Sequence, residues 1–245
     1  MSKTLLATIP IEQLLLAFVP VAVVVVLMWR WRLDYRFVSY ALARMLVQLL
    51  LIGYVLVYIF ETERGATILA VLTVMLLAAS WIALNPLSQG KASLYLASLT
   101  AISVGGGLTL ALITQGVLRL DPWYRPSYMV PLAGMIFASS MTCISLAAER
   151  LAAELKNDAE YREASKVAFR AALIPVTNSL LAVGLISLPG MMTGQILSGV
   201  SPFIAARYQI MVMCMIFGAA GISTASFLTL AKNLPGFRSP ERISD

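Results

Sequence analysis

Seven runs of apolar residues set the pattern of the chain, at roughly 10–29, 37–60, 66–84, 93–118, 128–148, 171–189 and 208–231. Each is close to the length of helix, about 20 residues, that crosses a hydrocarbon core about 30 Å thick. The expected fold is therefore all-α: a polytopic transmembrane helical bundle of about seven spans. The breaks between runs have local causes. Glu61-Thr62-Glu63-Arg64-Gly65 is a charged turn, Asn85-Pro86 and Gly90-Lys91 bracket a short loop, and Asp121-Pro122-Trp123-Tyr124-Arg125-Pro126 joins helix breakers to interfacial aromatics. The first run has the look of a signal peptide, with Lys3 ahead of it. It is nevertheless full spanning length, lacks a small-residue cleavage site and ends in Trp29-Arg30-Trp31-Arg32, an interfacial anchor, so it is read as a retained first helix. Residues 1–245 are expected to form a single membrane domain, whose one long polar stretch is a cytoplasmic loop over 149–170.

Composition narrows the function. Hydrophobic residues make up 60% of the 245 and charged residues only 12%, against about 25% in a soluble domain, which leaves no room for a separate catalytic or ATP-binding domain. The net charge of +6 sits at helix ends and in short loops, where it orients the protein, so nucleic acid is not an expected partner. Of the 18 Lys and Arg residues, 12 fall on one side, including Arg30, Arg32, Arg36, Lys91, the 149–170 loop and the C-terminal Lys232, Arg238 and Arg242. Five fall on the other (Lys3, Arg64, Arg119, Arg125 and Arg207), and Arg44 lies within the second run. The N-terminus is thus expected outside and the C-terminus in the cytoplasm of a multi-pass bacterial inner (plasma) membrane protein. Histidine is absent, which removes His-based metal sites and general bases. Cys143 and Cys214 lie in different runs and form no Cys-x-x-Cys motif. The runs hold almost no carboxylate, which argues against proton- or sodium-coupled carriage. No Gly-x-x-x-x-Gly-Lys-[Ser/Thr] loop occurs. The chain is not expected to be an enzyme or to bind a cofactor directly, and any ATP used must belong to a partner subunit.

Four features could carry function. In the cytoplasmic stretch, Asn157 and Glu160 have the spacing of a helix start. A helix beginning there would show Tyr161, Ala164 and Ala168 on one face, beside Glu163, fit to dock in a groove on a soluble partner; a solvated connector on the membrane surface is the plainer alternative. In the sixth run, Pro175 removes a backbone donor, Asn178 is polar at membrane depth, and Pro189-Gly190 breaks the helix. The following Met191, Met192, Thr193, Gly194 and Gln195 begin a segment too polar to face lipid, read as re-entrant or folded over, with an ordinary outer loop as the alternative. Arg44 and Gln48 share a face of the second helix, pointing into the bundle or snorkelling to the interface. Finally, Met141, Cys143, Met211, Met213, Cys214 and Met215 offer soft-metal ligands, but methionine is also ordinary core filler.

The run Ala41-Leu-Ala-Arg44-Met-Leu-Val-Gln48, continuing to Gly53, Tyr54 and Phe60, resembles the start of the FetB-type permease family. More specifically so does Ala171 to Met213, with Leu-Pro-Gly-Met-Met-Thr-Gly-Gln-Ile-Leu-Ser-Gly over 188–199 and Arg207-Tyr208-Gln209. That family contains a bacterial ABC iron-export permease and plant half-transporters linked to aluminium tolerance. The resemblance implies a permease subunit that pairs with a cytosolic ABC ATPase, works as two copies in the bilayer, and exports iron, another metal or its chelate. It implies that 149–170 is the coupling region and that Arg44, Gln48, Asn178, the 189–195 segment, Tyr208 and Gln209 line or gate the path. The chain departs from the family pattern in a shorter coupling loop, Asp158-Ala-Glu-Tyr161, and in Ala138-Ser139, where Gly-Asn is usual. A hard cation would have to be held by groups such as Thr177, Asn178 and Gln195. A channel or uncoupled carrier, working without an ATPase, is the alternative from another class.

Overall fold

The computed structural model describes residues 10–61, 64–87, 90–234 and 237. Lys3, Arg238 and Arg242 of the charge count, and Thr62 and Glu63 of the first charged turn, lie outside the described residues. The described chain is almost wholly helical. Six stretches within it are long and apolar enough to span a bilayer: Glu12–Arg30, Tyr35–Leu56, Gly65–Ile82, Lys91–Val117, Pro126–Lys156 and Pro202–Leu230. The chain divides into two compact units, 1–61 and 62–245.

The first unit contains α1 (Ile11–Leu16), α2 (Phe18–Arg30) and α3 (Tyr35–Phe60). Pro20 has no N–H to continue the ladder, and the first run divides just before it, at Ala17. Arg32 takes a left-handed φ of 58° in the link that follows. The Asp34 carboxylate then accepts from the Phe37 amide at 3.1 Å, capping α3. Along α2 and α3 large apolar side chains such as Val23, Leu27, Leu46 and Leu50 lie exposed, as expected where lipid is the solvent.

The second unit is built on α7 (Pro126–Lys156) and α10 (Pro202–Leu230), which pack on each other. Around them lie α4 (Gly65–Ile82), α5 (Lys91–Ile102), α6 (Leu108–Ala111), α8 (Tyr161–Ala182) and α9 (Gly190–Leu197). Buried positions on α7 recur at helical spacing, as in Leu132, Ala133, Ile136, Ser140, Cys143 and Ala147. The contacts favour small residues: Ala164, Ala168 and Ala172 on α8 and Ala205, Ala219 and Ala220 on α10 are all 0–1% exposed. Small side chains let helices approach closely where lipid supplies no hydrophobic drive. Hydroxyls complete the joints. Ser98 donates to the Ser80 carbonyl at 3.1 Å, Ser145 to Ala83 at 2.8 Å, and the Ser223 hydroxyl to that of Ser140 at 3.1 Å.

Between α5 and α6, residues Ser103–Gly107 wind as a π-helix, and a second π segment follows at Leu112–Val117. Gly105 touches α10 there: a Cβ on it would lie 2.5 Å from the Ser223 backbone nitrogen, so only glycine fits.

The sixth run differs from its expected bounds of 171–189. The helix α8 begins at Tyr161 and ends at Ala182. Pro175 is accommodated inside it, while the polar first half, with Arg162, Glu163, Lys166 and Arg170, keeps it outside the six span-capable stretches. The stop comes from Val183, which turns extended, and Gly184, whose φ of 81° suits glycine. The chain folds back, with the Gly184 amide donating to the Ser187 carbonyl at 2.9 Å. Pro189 then starts α9, and Gly199 at φ 90° turns the chain toward α10. Between the turns at Gly184 and Gly199 the segment thus forms a short helix, none of whose residues is fully buried.

Candidate functional site

An open cavity of about 570 Å³ lies among α7, α8 and α10, under the turn between α8 and α9. From α7 come Met135, Ser139, Thr142 and Cys143, at i, i+4, i+7 and i+8 on one face. From α10 come Gln209, Val212, Met213 and Ile216, the same kind of stripe, and α8 adds Pro175, Val176 and Ser179. Val183, Ser187, Pro189, Gly190 and Met191 close one side. Apart from the Cys143 thiol, the lining holds no ionisable side chain.

Its polar groups are few and unequal. Thr142 donates to the Ala138 carbonyl at 2.9 Å and Ser179 to that of Pro175 at 3.0 Å, so both hydroxyl protons are used within their own helices. The Gln209 side chain is different. It is 6% exposed, and its carbonyl oxygen has no hydrogen-bond partner. A buried acceptor left unpaired costs about 1–3 kcal/mol.

The structure brings only some of the expected path residues together. Pro189, Gly190, Met191 and Gln209 line the cavity. Met192, Thr193, Gly194 and Gln195 continue along α9; Thr193 donates to the Pro189 carbonyl at 3.1 Å, and the Gln195 carbonyl oxygen is buried without a partner. Tyr208 is half-buried, beside Gln209 in sequence. Asn178 does not line this cavity: it is exposed and borders, with Arg170, Leu173 and Thr177, a separate groove of about 390 Å³ on another face of α8. The reason is helical rotation, since Val176 and Ser179 turn to the cavity and Asn178 turns away. Arg44 and Gln48 are exposed on α3 of the first unit. Met135, Thr142 and Ser179 are cavity residues that the sequence reading passed over; Met135 and Thr142, at i and i+7 on α7, share a face, but their spacing does not say what it faces, and Ser179 comes from α8.

The coupling stretch is also corrected. The Tyr161–Ala164–Ala168 face is not offered to a partner: Ala164 is 1% and Ala168 0% exposed. The Tyr161 hydroxyl donates to the Leu228 carbonyl at 2.5 Å, near the end of α10. A stripe of one aromatic and two alanines suits close packing on the chain's own helix as well as it suits a foreign groove. Nor does Asn157 cap α8. It ends α7, Asp158 follows at φ 59°, and Glu160 is the residue before α8, with no side-chain cap. The outward face carries Arg162, Glu163 and Lys166, and Lys166 pairs with Glu163 at 2.6 Å. That ammonium, by hydrogen bond and charge, holds the Glu163 carboxyl below its ordinary range.

A chain whose described residues are almost wholly helical, with six span-capable stretches and many large apolar side chains facing outward, is a multi-pass membrane protein. Comparison with known proteins carries this to a family. The chain belongs to the Uncharacterised protein family (UPF0014), whose model matches residues 11–234. It is 36% identical to the UPF0014 membrane protein slr1647 of Synechocystis over 74% of this chain and 76% of that one. It is 34% identical to the probable iron export permease protein FetB of Escherichia coli over 90% of this chain and 91% of the relative. With the protein ALUMINUM SENSITIVE 3 of Arabidopsis thaliana it shares 34% identity over 76% of this chain and 72% of the relative. No solved structure matches.

Proposed function

We propose that this chain is the membrane permease subunit of an ATP-driven ABC transporter that exports a metal, iron or another, or its chelate. The observation that carries the reading is the joint between the cavity and the 149–170 loop. Residues lining the cavity sit on α7, α8 and α10, and the Tyr161–Leu228 bond ties the loop end of α8 to the far end of α10. A push on the outward face of Arg162, Glu163 and Lys166 would then reach helices that shape the cavity. The relative named as an iron export permease, aligned over nearly the whole chain, supports the same reading.

In this arrangement ATP is bound and hydrolysed by a separate cytosolic ATPase, two permease copies sit together in a bacterial inner membrane, and the 149–170 loop faces the cytoplasm.

The test is co-purification of the detergent-solubilised chain with ABC ATPases of its own cell, followed by ATPase assays with candidate metals. A stable complex whose ATPase rate responds to a metal supports the full reading. A complex that ignores metals keeps the permease and rejects a metal cargo. Transport by the chain alone in vesicles, with no ATPase present, would replace it with an uncoupled carrier.

A further inference from the structure

We propose that the α8 face bearing Arg170, Thr177 and Asn178 lines a water-filled path for an anionic cargo, closed on its open side by the same face of a second copy. The inference rests on the permease reading in taking the path as a transport route. It narrows the cargo from a metal or its chelate to the chelate, a small complex whose outer carboxylates leave it net negative.

Depth is the first observation. Pro175, Val176 and Ser179 of α8 border the cavity together with residues well inside the span-capable stretches of α7 and α10. Thr177 and Asn178 lie between them in sequence and so at the same depth, but on the opposite side of the helix, where both are exposed. Ser179 spends its hydroxyl proton on the Pro175 carbonyl, whereas among the described residues Thr177 and Asn178 have no such partner. Hydrocarbon cannot solvate an amide, so polar side chains at this depth face protein or water. Arg170 is exposed on the same face, about 12 Å nearer the 149–170 loop. Snorkelling to the interface would account for an arginine there, but it leaves Thr177 and Asn178 unexplained.

Shape is the second. The other side of α8 is occupied, with Ala164, Ala168, Ala172 and Val176 buried where the helix packs on α7 and α10. The groove of about 390 Å³ is bordered by α8 alone, so one wall is missing. A two-fold axis along the membrane normal supplies it, because it brings the same face of another copy to the same depth.

Charge is the third. The stretches 35–60, 64–120, 122–148 and 164–240 contain no Asp or Glu, so a cation crossing along this face would meet no carboxylate. The ion pairs among the described residues are Arg150 with Glu154 and Lys166 with Glu163, which leaves the Arg170 charge unbalanced. Rings of arginine or lysine pass anions, and a guanidinium takes a carboxylate through paired donors. Thr177 and Asn178 then offer neutral donors further along. A bare hard cation wants anionic oxygens and meets repulsion here; enclosed in carboxylates, it presents the opposite charge.

The test places a cysteine at Asn178 in a Cys214→Ser background, with Cys143 left buried, in nanodiscs wide enough for two copies and without an ATPase. The Asn178→Cys thiol should react with water-borne thiosulfonate reagents, the sulfonate-bearing one at least about fivefold faster than the trimethylammonium one after correction for free thiol. Arg170→Glu should invert that ratio. Val74→Cys, exposed on α4, should react with neither, because lipid covers it. Mild oxidation of Asn178→Cys should give a disulfide-linked dimer, and the Cys214→Ser parent none. Thr177→Cys repeats each readout where Asn178→Cys fails to assemble. An unreactive thiol places the face in lipid and overturns the proposal. So do equal rates for the two reagents, a ratio unmoved by Arg170→Glu, or a reactive thiol that never links two copies. In an ATPase complex, iron(III) citrate should raise the ATPase rate and iron(II) alone should not; the reverse overturns the anionic cargo and leaves the permease standing. A chain that passes the thiol tests but joins no ATPase supports the anionic path and counts against the ATP-driven reading.

Discussion

The Tyr161 hydroxyl and the Leu228 carbonyl, 67 positions apart, meet at 2.5 Å where the first residue of α8 reaches the last turn of α10. The last carbonyls of a helix lack partners within it, so this bond satisfies one of them while fixing the start of the next polar stretch. It makes the α7–α8 loop part of the helix packing rather than a free appendage. Tyr161→Phe should therefore cost about 1 kcal/mol in thermal or denaturant unfolding. If the joint transmits ATPase action, the variant should also lower ATP-driven transport more than it lowers ATPase association.

The same residue has a signature in pH. Burial pushes the Tyr161 phenol above its ordinary value of 10.0. The neutral form is the favoured one, so its contribution is fully present below pH 10 and fades as pH rises through the higher folded value. The phenolate absorbance difference between wild type and Tyr161→Phe should accordingly appear only above the ordinary value. Its appearance at the ordinary value would mean that the phenol is not held in this joint.

On the outward face, Lys166→Glu combined with Arg162→Glu should reduce ATPase co-purification at least tenfold while moving stability by less than about 0.5 kcal/mol, since exposed charges contribute little to folding. Alanine at Glu163 should be milder. Loss of the fold instead of the partner would show that this face is structural.

Gly105→Ala should destabilise by about 1–3 kcal/mol, because the added methyl meets the Ser223 backbone, which cannot swing aside. Gly107→Ala, two residues on and with nothing within 4 Å of its Cβ, should be neutral or slightly stabilising. Melting curves of the two variants separate close packing from helix propensity.

The Ser140–Ser223 bond is suited to a double-mutant cycle. Each serine to alanine change should cost about 1 kcal/mol, and the pair should be less than additive by about 0.6 kcal/mol, the usual size of such bonds between membrane helices. Full additivity would place the two hydroxyls apart in solution.

These residues also mark how far a sequence speaks for itself. Apolar length located six helical stretches because the breakers between them, such as Asn85-Pro86 and Asp121-Pro122, act locally. The sixth run was misjudged for a local reason of another kind: its bounds of 171–189 followed apolar residues and the Pro189-Gly190 break, whereas α8 starts in the charged stretch at Tyr161 and stops at the left-handed turn at Gly184. Tyr161, Ala164 and Ala168 were correctly placed on one face, yet the identity of their partner, α10, is tertiary. The cavity was legible in pieces, through Cys143, Pro175, Gln209, Met213 and the 189–191 stretch, but not as one site. Met135, Thr142 and Ser179 join it by the meeting of three helices, and no spacing within one helix reports that.

The π segments at Ser103–Gly107 and Leu112–Val117 have a consequence for descent. A π turn holds one residue more than an α turn, so it is a place where the chain can lose a residue and keep its flanks in phase. Deleting one position inside Ser103–Gly107 would restore a plain α-helix and withdraw Gly105 from Ser223; deleting one in α7 would rotate every residue beyond it off its face. Length variation among relatives should therefore gather in this stretch of the spans.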